Sequence, residues 1–202
     1  MSELIVRAAE GMRRAGFEVV EVKTAVEARD YLLAQIQEGQ SVGVGGSLSV
    51  RANDTLEMLE GKGCRVYSHW GAEKPEEILK NAHEADVYLT SANAVTKDGT
   101  LVLIDGRGNR VGAVCNGPHD VYFVISHSKV VEGGLSAAIA RIKSVASPQN
   151  TRRLGIDTPC ARTGKCGGPA CTNSICRLTL ALDYAPKNRR MVVVLVEEPM
   201  GY

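Results

Sequence analysis

Short, almost wholly apolar runs recur down this chain with amphipathic helical stretches between them, and that alternation restricts it to an α/β fold with a mostly parallel sheet. Ser41-Val-Gly-Val-Gly-Gly is one such run; a strand covered on both faces reads as continuous apolar sequence rather than as an apolar–polar alternation. It passes through Gly45-Gly46-Ser47 into a helix marked by Leu48, Ala52, Leu56 and Leu59, which stops near Gly61 and Gly63. Upstream, residues 2–15 and 25–38 have helical spacing, the second with Ala25, Ala28, Leu32 and Ile36 on one face, and Phe17 to Val22 is β-rich between them. Downstream come a strand at Arg65 to Ser68, a helix opened by Pro75 and running to about Glu84, and a strand at Asp86 to Thr90. Strands joined through helices need right-handed crossovers, which put helices on both faces of one sheet. The expected fold is therefore a three-layer α/β/α sandwich.

After residue 90 the rhythm changes. Thr100 to Ile104 and Arg110 to Cys115 are apolar runs joined by Asp105-Gly-Arg-Gly-Asn, whose glycines accept positive φ, so the segment predicts a β-hairpin. Val121 to Val131 reads as a strand, Gly134 to Val145 as a helix with Leu135, Ala138, Ile139 and Ile142 inward, and Met191 to Val196 as a closing apolar strand. The intervening KNRR, Lys187 to Arg190, reads as a solvated turn. No internal repeat or low-complexity linker interrupts residues 1–202.

Composition excludes several classes. With 202 residues and 44% hydrophobic content, the chain can bury a full core, and a formal charge of +1 leaves no electrostatic footprint for nucleic acid. The N-terminal MSELIVRAAEGMRRAGFEVV carries charges among its apolar positions, unlike a signal peptide, and no run approaches the roughly 18 apolar residues of a membrane span. A cytoplasmic location without membrane insertion is expected. In that reducing compartment six cysteines read as ligands or buried thiols rather than as a disulfide framework.

Four of the six crowd into one stretch, Cys160, Cys166, Cys171 and Cys176 in TPCARTGKCGGPACTNSIC. Thiolate sulfur is the soft ligand that selects iron–sulfur clusters or zinc. The stretch lacks the paired C-x-x-C knuckles typical of zinc ribbons, so an iron–sulfur cluster, 4Fe–4S in type, is favoured, with zinc as the alternative and loop thiols or disulfides as the plain reading. Pro159, Gly164, Gly167, Gly168 and Pro169 suit a loop that wraps an inorganic core. The segment is bounded at 158–178. Cys64 and Cys115, beside strand patterns, read as small buried hydrophobes.

Three loop constellations are candidates for binding chemistry. Gly45, Gly46 and Ser47, between a strand end and a helix N-terminus, form a natural anion site or a simple turn and cap; the terminus of a helix carries about half a positive charge. Leu48 stands where the last glycine of a dinucleotide-binding G-x-G-x-x-G is needed, which argues against a nucleotide cofactor. Asn93, Thr96, Lys97, Asp98 and Gly99 follow the carboxyl end of an expected parallel strand, where open α/β sheets hold ligands, although Asp98-Gly99 suits a turn equally well. The third set is Gly108, Asn109 and Arg110 with Pro118, His119 and Lys129; Arg110 is suited to a carboxylate, Lys129 reads as a surface charge and His119 as a loop histidine. Asp98 is the acid/base candidate and Arg110 the group that neutralises a small carboxylate or phosphorylated ligand.

Taken together, GVGGS before a helix, SANAVTKDGTLVLIDGRGNRVGAVCNGP, and a strand ending in SK resemble the lactate-utilization (LUD) domain family over most of the chain. The resemblance implies a NagB/RpiA/CoA-transferase-like α/β/α fold spanning residues 1–202 as one LUD-like domain. Some members are similar further in ending with a TPC…TGKC…C…IC segment, an R-x-x-V-V-L-V strand and GY; here Gly167-Gly168-Pro169-Ala170 separates cysteines that such members keep closer together. The function implied is a subunit or accessory of an iron–sulfur system that oxidises L-lactate, with iron–sulfur redox subunits as partners and a homo-oligomer left open. Two alternatives stand beside it: a non-catalytic assembly module with a structural zinc, and a CoA-transferase-like enzyme acting on a small carboxylate. Against the last, no glutamate occupies the loop from Asn93 to Thr100.

Overall fold

A computed structural model describes residues 2–202. In chain order the strands are β1 (Glu18–Val22), β2 (Ser41–Val44), β3 (Arg65–Ser68), β4 (Val87–Thr90), β5 (Ala94–Val95), β6 (Leu101–Asp105), β7 (Asp120–Ser126), β8 (Leu178–Leu182) and β9 (Arg190–Val196). The α-helices are α1 (Glu3–Arg14), α2 (Ala25–Gln35), α3 (Leu48–Arg51), α4 (Thr55–Gly61), α5 (Pro75–His83), α6 (Asn109–Asn116), α7 (Leu135–Arg141), α8 (Ser147–Arg153) and α9 (Pro159–Thr163).

Six strands form one sheet in the order β1-β9-β7-β4-β2-β3, and every neighbouring pair in it is parallel. The alternation of side chains along its central strands builds the three layers. Val121, Phe123 and Ile125 of β7, with Met191, Val193 and Leu195 of β9, pack with α1 residues Ala8, Ala9 and Met12 and α6 residues Ala113 and Val114. Tyr122, Val124, Val192, Val194 and Val196 point the other way, against Ala28 and Leu32 of α2, Ile36 just beyond its end, and Leu56 and Leu59 of α4. This is the expected α/β/α sandwich. No helix among the described residues is long and apolar enough to cross a membrane.

A second, antiparallel sheet of order β5-β6-β8 lies beside the first. Leu101 and Leu103 of β6 join the core under α1, while Val102 and Ile104 pack with Ala138, Ile142 and Ala146. The hairpin is therefore present but not where the apolar runs predicted it. It joins β5 to β6 through the Asp98-Gly99 turn, and Arg110 to Cys115 is helical instead of a second strand. Gly108, at φ 85°, turns the chain out of β6, and the Asp105 carboxylate accepts the Val111 N–H at 2.9 Å, which caps the first turn of α6. A six-residue apolar run satisfies helix and strand spacing alike, and this cap decides between them.

Other boundaries moved for local reasons. The helix expected through Leu48 to Leu59 is broken at Asn53 and Asp54, both at φ 55°. The strand expected to reach Val131 ends at Ser126 in a tight helical turn, His127–Lys129. The helix expected to stop at Val145 continues through a π-helical turn, Ile142–Ala146, into α8. In the KNRR stretch Arg189 is partly buried, donating to the carbonyls of Ala113 and Pro118 at 2.9 Å at the end of α6, rather than lying in a solvated turn. Cys115 is exposed on α6, whereas Cys64 is buried as expected.

Candidate functional site

At the carboxyl ends of β2, β3, β4 and β7, the edge where parallel sheets hold ligands, lies a cavity of about 500 Å³. Its lining draws on Gly46 and Ser47 after β2, His69 and Trp70 after β3, Ser91 and Asn93 after β4, and Lys129 after β7. Arg107, Asn109 and Arg110 reach it from the loop after β6 and the start of α6, and Arg153 from α8. Gly201 and Tyr202 reach it from beyond β9. Gly46, Ser47, Asn93, Asn109 and Arg110 are thus brought together. Gly45 stands just behind them, where a Cβ would come within 2.8 Å of Arg110 Cγ, so the close approach of that side chain requires glycine.

Thr96, Asp98 and Gly99 are not part of this lining. The Thr96 hydroxyl accepts the Thr100 N–H at 3.0 Å and closes the β5–β6 turn. Gly99, at φ 94°, lies against α1, where a Cβ would meet Met12 N at 2.4 Å; Gly11 on that helix makes the reciprocal contact with the Asp98 carbonyl. Asp98 itself forms an exposed ion pair with Arg7 at 2.6 Å. The turn that carries the acid/base candidate therefore faces α1 and solvent rather than the cavity lining.

The anion-binding expectation changes hands. α3, which Ser47 caps through the Val50 N–H, has four residues before its axis is broken, so few aligned peptides contribute to its dipole. Arg110 is on the wall, but its guanidinium is committed: it donates to Asp105 Oδ1 at 2.7 Å through Nε, and to Asn93 Oδ1 at 3.1 Å and the Ile104 carbonyl at 2.7 Å through Nη2. It is neutralised before any ligand arrives. Lys129 is the opposite case. Rather than a surface charge it is 4% exposed, and its Nζ donates to Ser49 Oγ and Ser91 Oγ at 3.0 Å each. No carboxylate among the described residues lies within ion-pair distance of it. Burial, reinforced by the charges of Arg141 and Arg110, pushes its pKa down to about 7.

His69 and Trp70 complete the polar side of the cavity. Burial and the Arg107 charge lower the His69 pKa, and its buried Nδ1 has no hydrogen-bond partner. The guanidiniums of Arg51 and Arg153 each lie over the Trp70 ring, 4.6 Å from its centroid. Asp105 is the only carboxylate side chain on the lining and is held by Arg110. The remaining charged side chains there are cations.

A second cavity, of about 250 Å³, adjoins the first, and Cys160, Cys166, Cys171 and Cys176 all line it. Thr158 caps α9 through the Ala161 N–H and sets its hydroxyl 3.3 Å from Cys160 Sγ. Cys176 Sγ lies 3.1 Å from Ser147 Oγ. Burial raises the Cys176 pKa, the Ser147 hydrogen bond opposes the rise, and the proximity of Cys160 and Cys166 adds to it. All six cysteines are free thiols. Among the described residues, no three His, Cys, Asp or Glu side chains stand close enough together to hold a single metal ion. The two cavities share a wall made by Ser147, Ile175 and Cys176.

The LUD domain matches this chain over residues 5–196. The chain belongs to the LUD-domain family. Among solved structures, the LUD domain described here is similar to a DUF162 family protein from Deinococcus radiodurans, with a TM-score of 0.53, 16% identity, and coverage of 97% of this chain and 99% of that one. At that identity the likeness speaks for the fold. Curated proteins give no match.

In this LUD domain sequence reasoning passed over Asp105, Ser49, Ser91, His69 and Trp70, and it named Lys129 only as a surface charge. Asp105 was hidden inside what read as a hairpin turn. Lys129 carried a usable signal, since it follows the continuous apolar run Val121 to Ile125 at the carboxyl end of a strand. His69 and Trp70 likewise come directly after a strand, in the position where an α/β sheet presents its ligand-binding loops.

Proposed function

We propose that this LUD-domain protein serves organic-acid oxidation of the lactate-utilisation kind, holding a small carboxylate in the cation-lined cavity and an iron–sulfur cluster on Cys160, Cys166, Cys171 and Cys176. The observation that carries this reading is the shared wall of Ser147, Ile175 and Cys176, which sets the four-thiol cavity directly against the anion cavity. Four thiols and no other acidic or imidazole donor line the smaller cavity, a donor set suited to iron–sulfur or zinc. A tetrahedral zinc with Zn–S bonds of about 2.3 Å would need sulfurs about 4 Å apart. The stretch carries no paired C-x-x-C knuckle, and that spacing is what favours the iron–sulfur core over zinc. Such a cluster, when bound, would exchange single electrons with a redox partner.

The chain's own residues account for the rest of the reading. Lys129, Arg107 and Arg153 favour an anion, the serines fix the lysine nitrogen, and neutral His69 is available to accept a proton from a 2-hydroxy acid. The transferase alternative finds no free carboxylate nucleophile, because Asp105 is bound to Arg110.

Anaerobic purification followed by iron, sulfide and zinc assays and an absorption spectrum tests the metal. Titration with lactate, pyruvate and a phosphorylated acid, read through Trp70 as the one tryptophan of the chain, tests the cavity. Iron and sulfide with carboxylate binding supports the proposal. Zinc without ligand binding would hand the function to the assembly-module reading instead.

A further inference from the structure

We propose that Lys129 is a nucleophile that condenses with a 2-oxo acid in the cation-lined cavity, forming an imine through its Nζ. This rests on the reading of that cavity as a small-carboxylate site and adds to it a substrate class and a covalent step. The setting of the nitrogen is the argument. An amine buried at the end of β7 is held by two neutral oxygens, Ser49 Oγ and Ser91 Oγ at 3.0 Å each, which fix its position without supplying a counter-charge. An ammonium group has three donors, so one direction remains for a ligand.

A lysine whose purpose is only to hold an anion, or only to stabilise the fold, keeps its charge by pairing or by water. Here no carboxylate among the described residues pairs with it, and the charged groups that influence it are the cations Arg141 and Arg110. Desolvation beside a second cation is the arrangement that frees a lysine lone pair near neutral pH and makes it a nucleophile. The depression of its pKa to about 7 agrees with that geometry.

The cavity supplies the complementary features of the substrate. Arg107 and Arg153 are on the same lining and suit the carboxylate of a 2-oxo acid, leaving the adjacent carbonyl to meet Nζ. The Nζ lone pair adds to the carbonyl carbon while the carbonyl oxygen takes up a proton, giving a carbinolamine. Loss of that hydroxyl as water then leaves a C=N bond between Nζ and the substrate carbon. One water is released and no electrons are exchanged. His69, on the same lining with an unpartnered Nδ1, is placed to carry the protons.

The test uses pyruvate as the probe. The purified full chain is incubated with pyruvate and sodium cyanoborohydride, which supplies the hydride that turns an imine into a stable secondary amine, and the adduct is mapped by peptide mass spectrometry. A parallel pyruvate titration is followed through Trp70 fluorescence. The expected result is a reduced adduct concentrated on Lys129, absent when lactate replaces pyruvate and lost in Lys129→Arg. A Trp70 response without an adduct on Lys129, or labelling spread over surface lysines and unchanged in Lys129→Arg, overturns the imine and leaves the carboxylate site standing. No Trp70 response and no adduct overturns both. The map on the wild-type chain decides the matter even if the variant fails to fold.

Discussion

Asp105 and Arg110 meet at 2.6 Å within the cavity wall, their side chains 2% and 13% exposed. The pair does three structural jobs at once: it neutralises a buried guanidinium, ties α6 to β6 and caps the first turn of α6. Removing one partner of such a pair leaves a buried charge unmatched, so Asp105→Ala is expected to lower stability by about 3–5 kcal/mol in urea denaturation. The double variant Asp105→Ala/Arg110→Ala should lose less than the sum of the two single losses, because no orphaned charge remains. Additive losses would show that the two residues act independently.

Lys129 makes stability depend on pH in a direction opposite to that of a salt-bridged lysine. Its folded pKa is depressed from 10.5 to about 7, so between those values the unfolded chain holds a proton that the folded chain does not. Folding stability attributable to this group therefore rises with pH across that window, by about 1.4 kcal/mol per unit at most, and is flat below about pH 7. Comparing wild type with Lys129→Met, the variant should be the more stable near pH 7, and the gap should shrink as the pH approaches 10. A gap that stays constant with pH would mean that Lys129 keeps its proton in the folded chain.

The cysteines divide into two groups with different expected behaviour. After anaerobic reconstitution, Cys160→Ser, Cys166→Ser, Cys171→Ser and Cys176→Ser should each remove most of the bound iron and sulfide. Cys64→Ser and Cys115→Ser should leave both contents near those of the wild type, since neither residue lines the thiol cavity. Iron retained in all four of the first group would refute ligation by this set.

At the β5–β6 turn, the small side chain matters and the charged one does not. Gly99→Ala places a Cβ at φ 94° and 2.4 Å from Met12 N, with an expected loss of about 1–3 kcal/mol from backbone strain alone. Asp98→Ala removes an exposed pair with Arg7 and should cost about 1 kcal/mol or less. Carboxylate binding, measured through Trp70, should be unchanged in Asp98→Ala. A loss of binding there would return the turn to the site.

Local sequence was enough for the elements whose pattern admits one solution. The apolar runs of β7 and β9 are buried on both faces, which forced a parallel sheet between two helical layers, and the spacing of α1 and α2 set their buried faces. The cysteine crowding and the position of Gly46 and Ser47 beyond β2 were visible for the same reason, being properties of neighbours in the chain. Whether Arg110 to Cys115 became a strand or a helix was not, because the run satisfies both periodicities and the Asp105 cap resolved it. The state of the charges was decided only by tertiary structure. Lys129 is buried and unpaired because Ser49, 80 residues away, and Ser91, 38 residues away, are folded against it, while Arg110 is silenced by a carboxylate that looked like part of a turn. A charged side chain's hydration depends on what long-range packing sets beside it, and spacing along the chain carries no record of that.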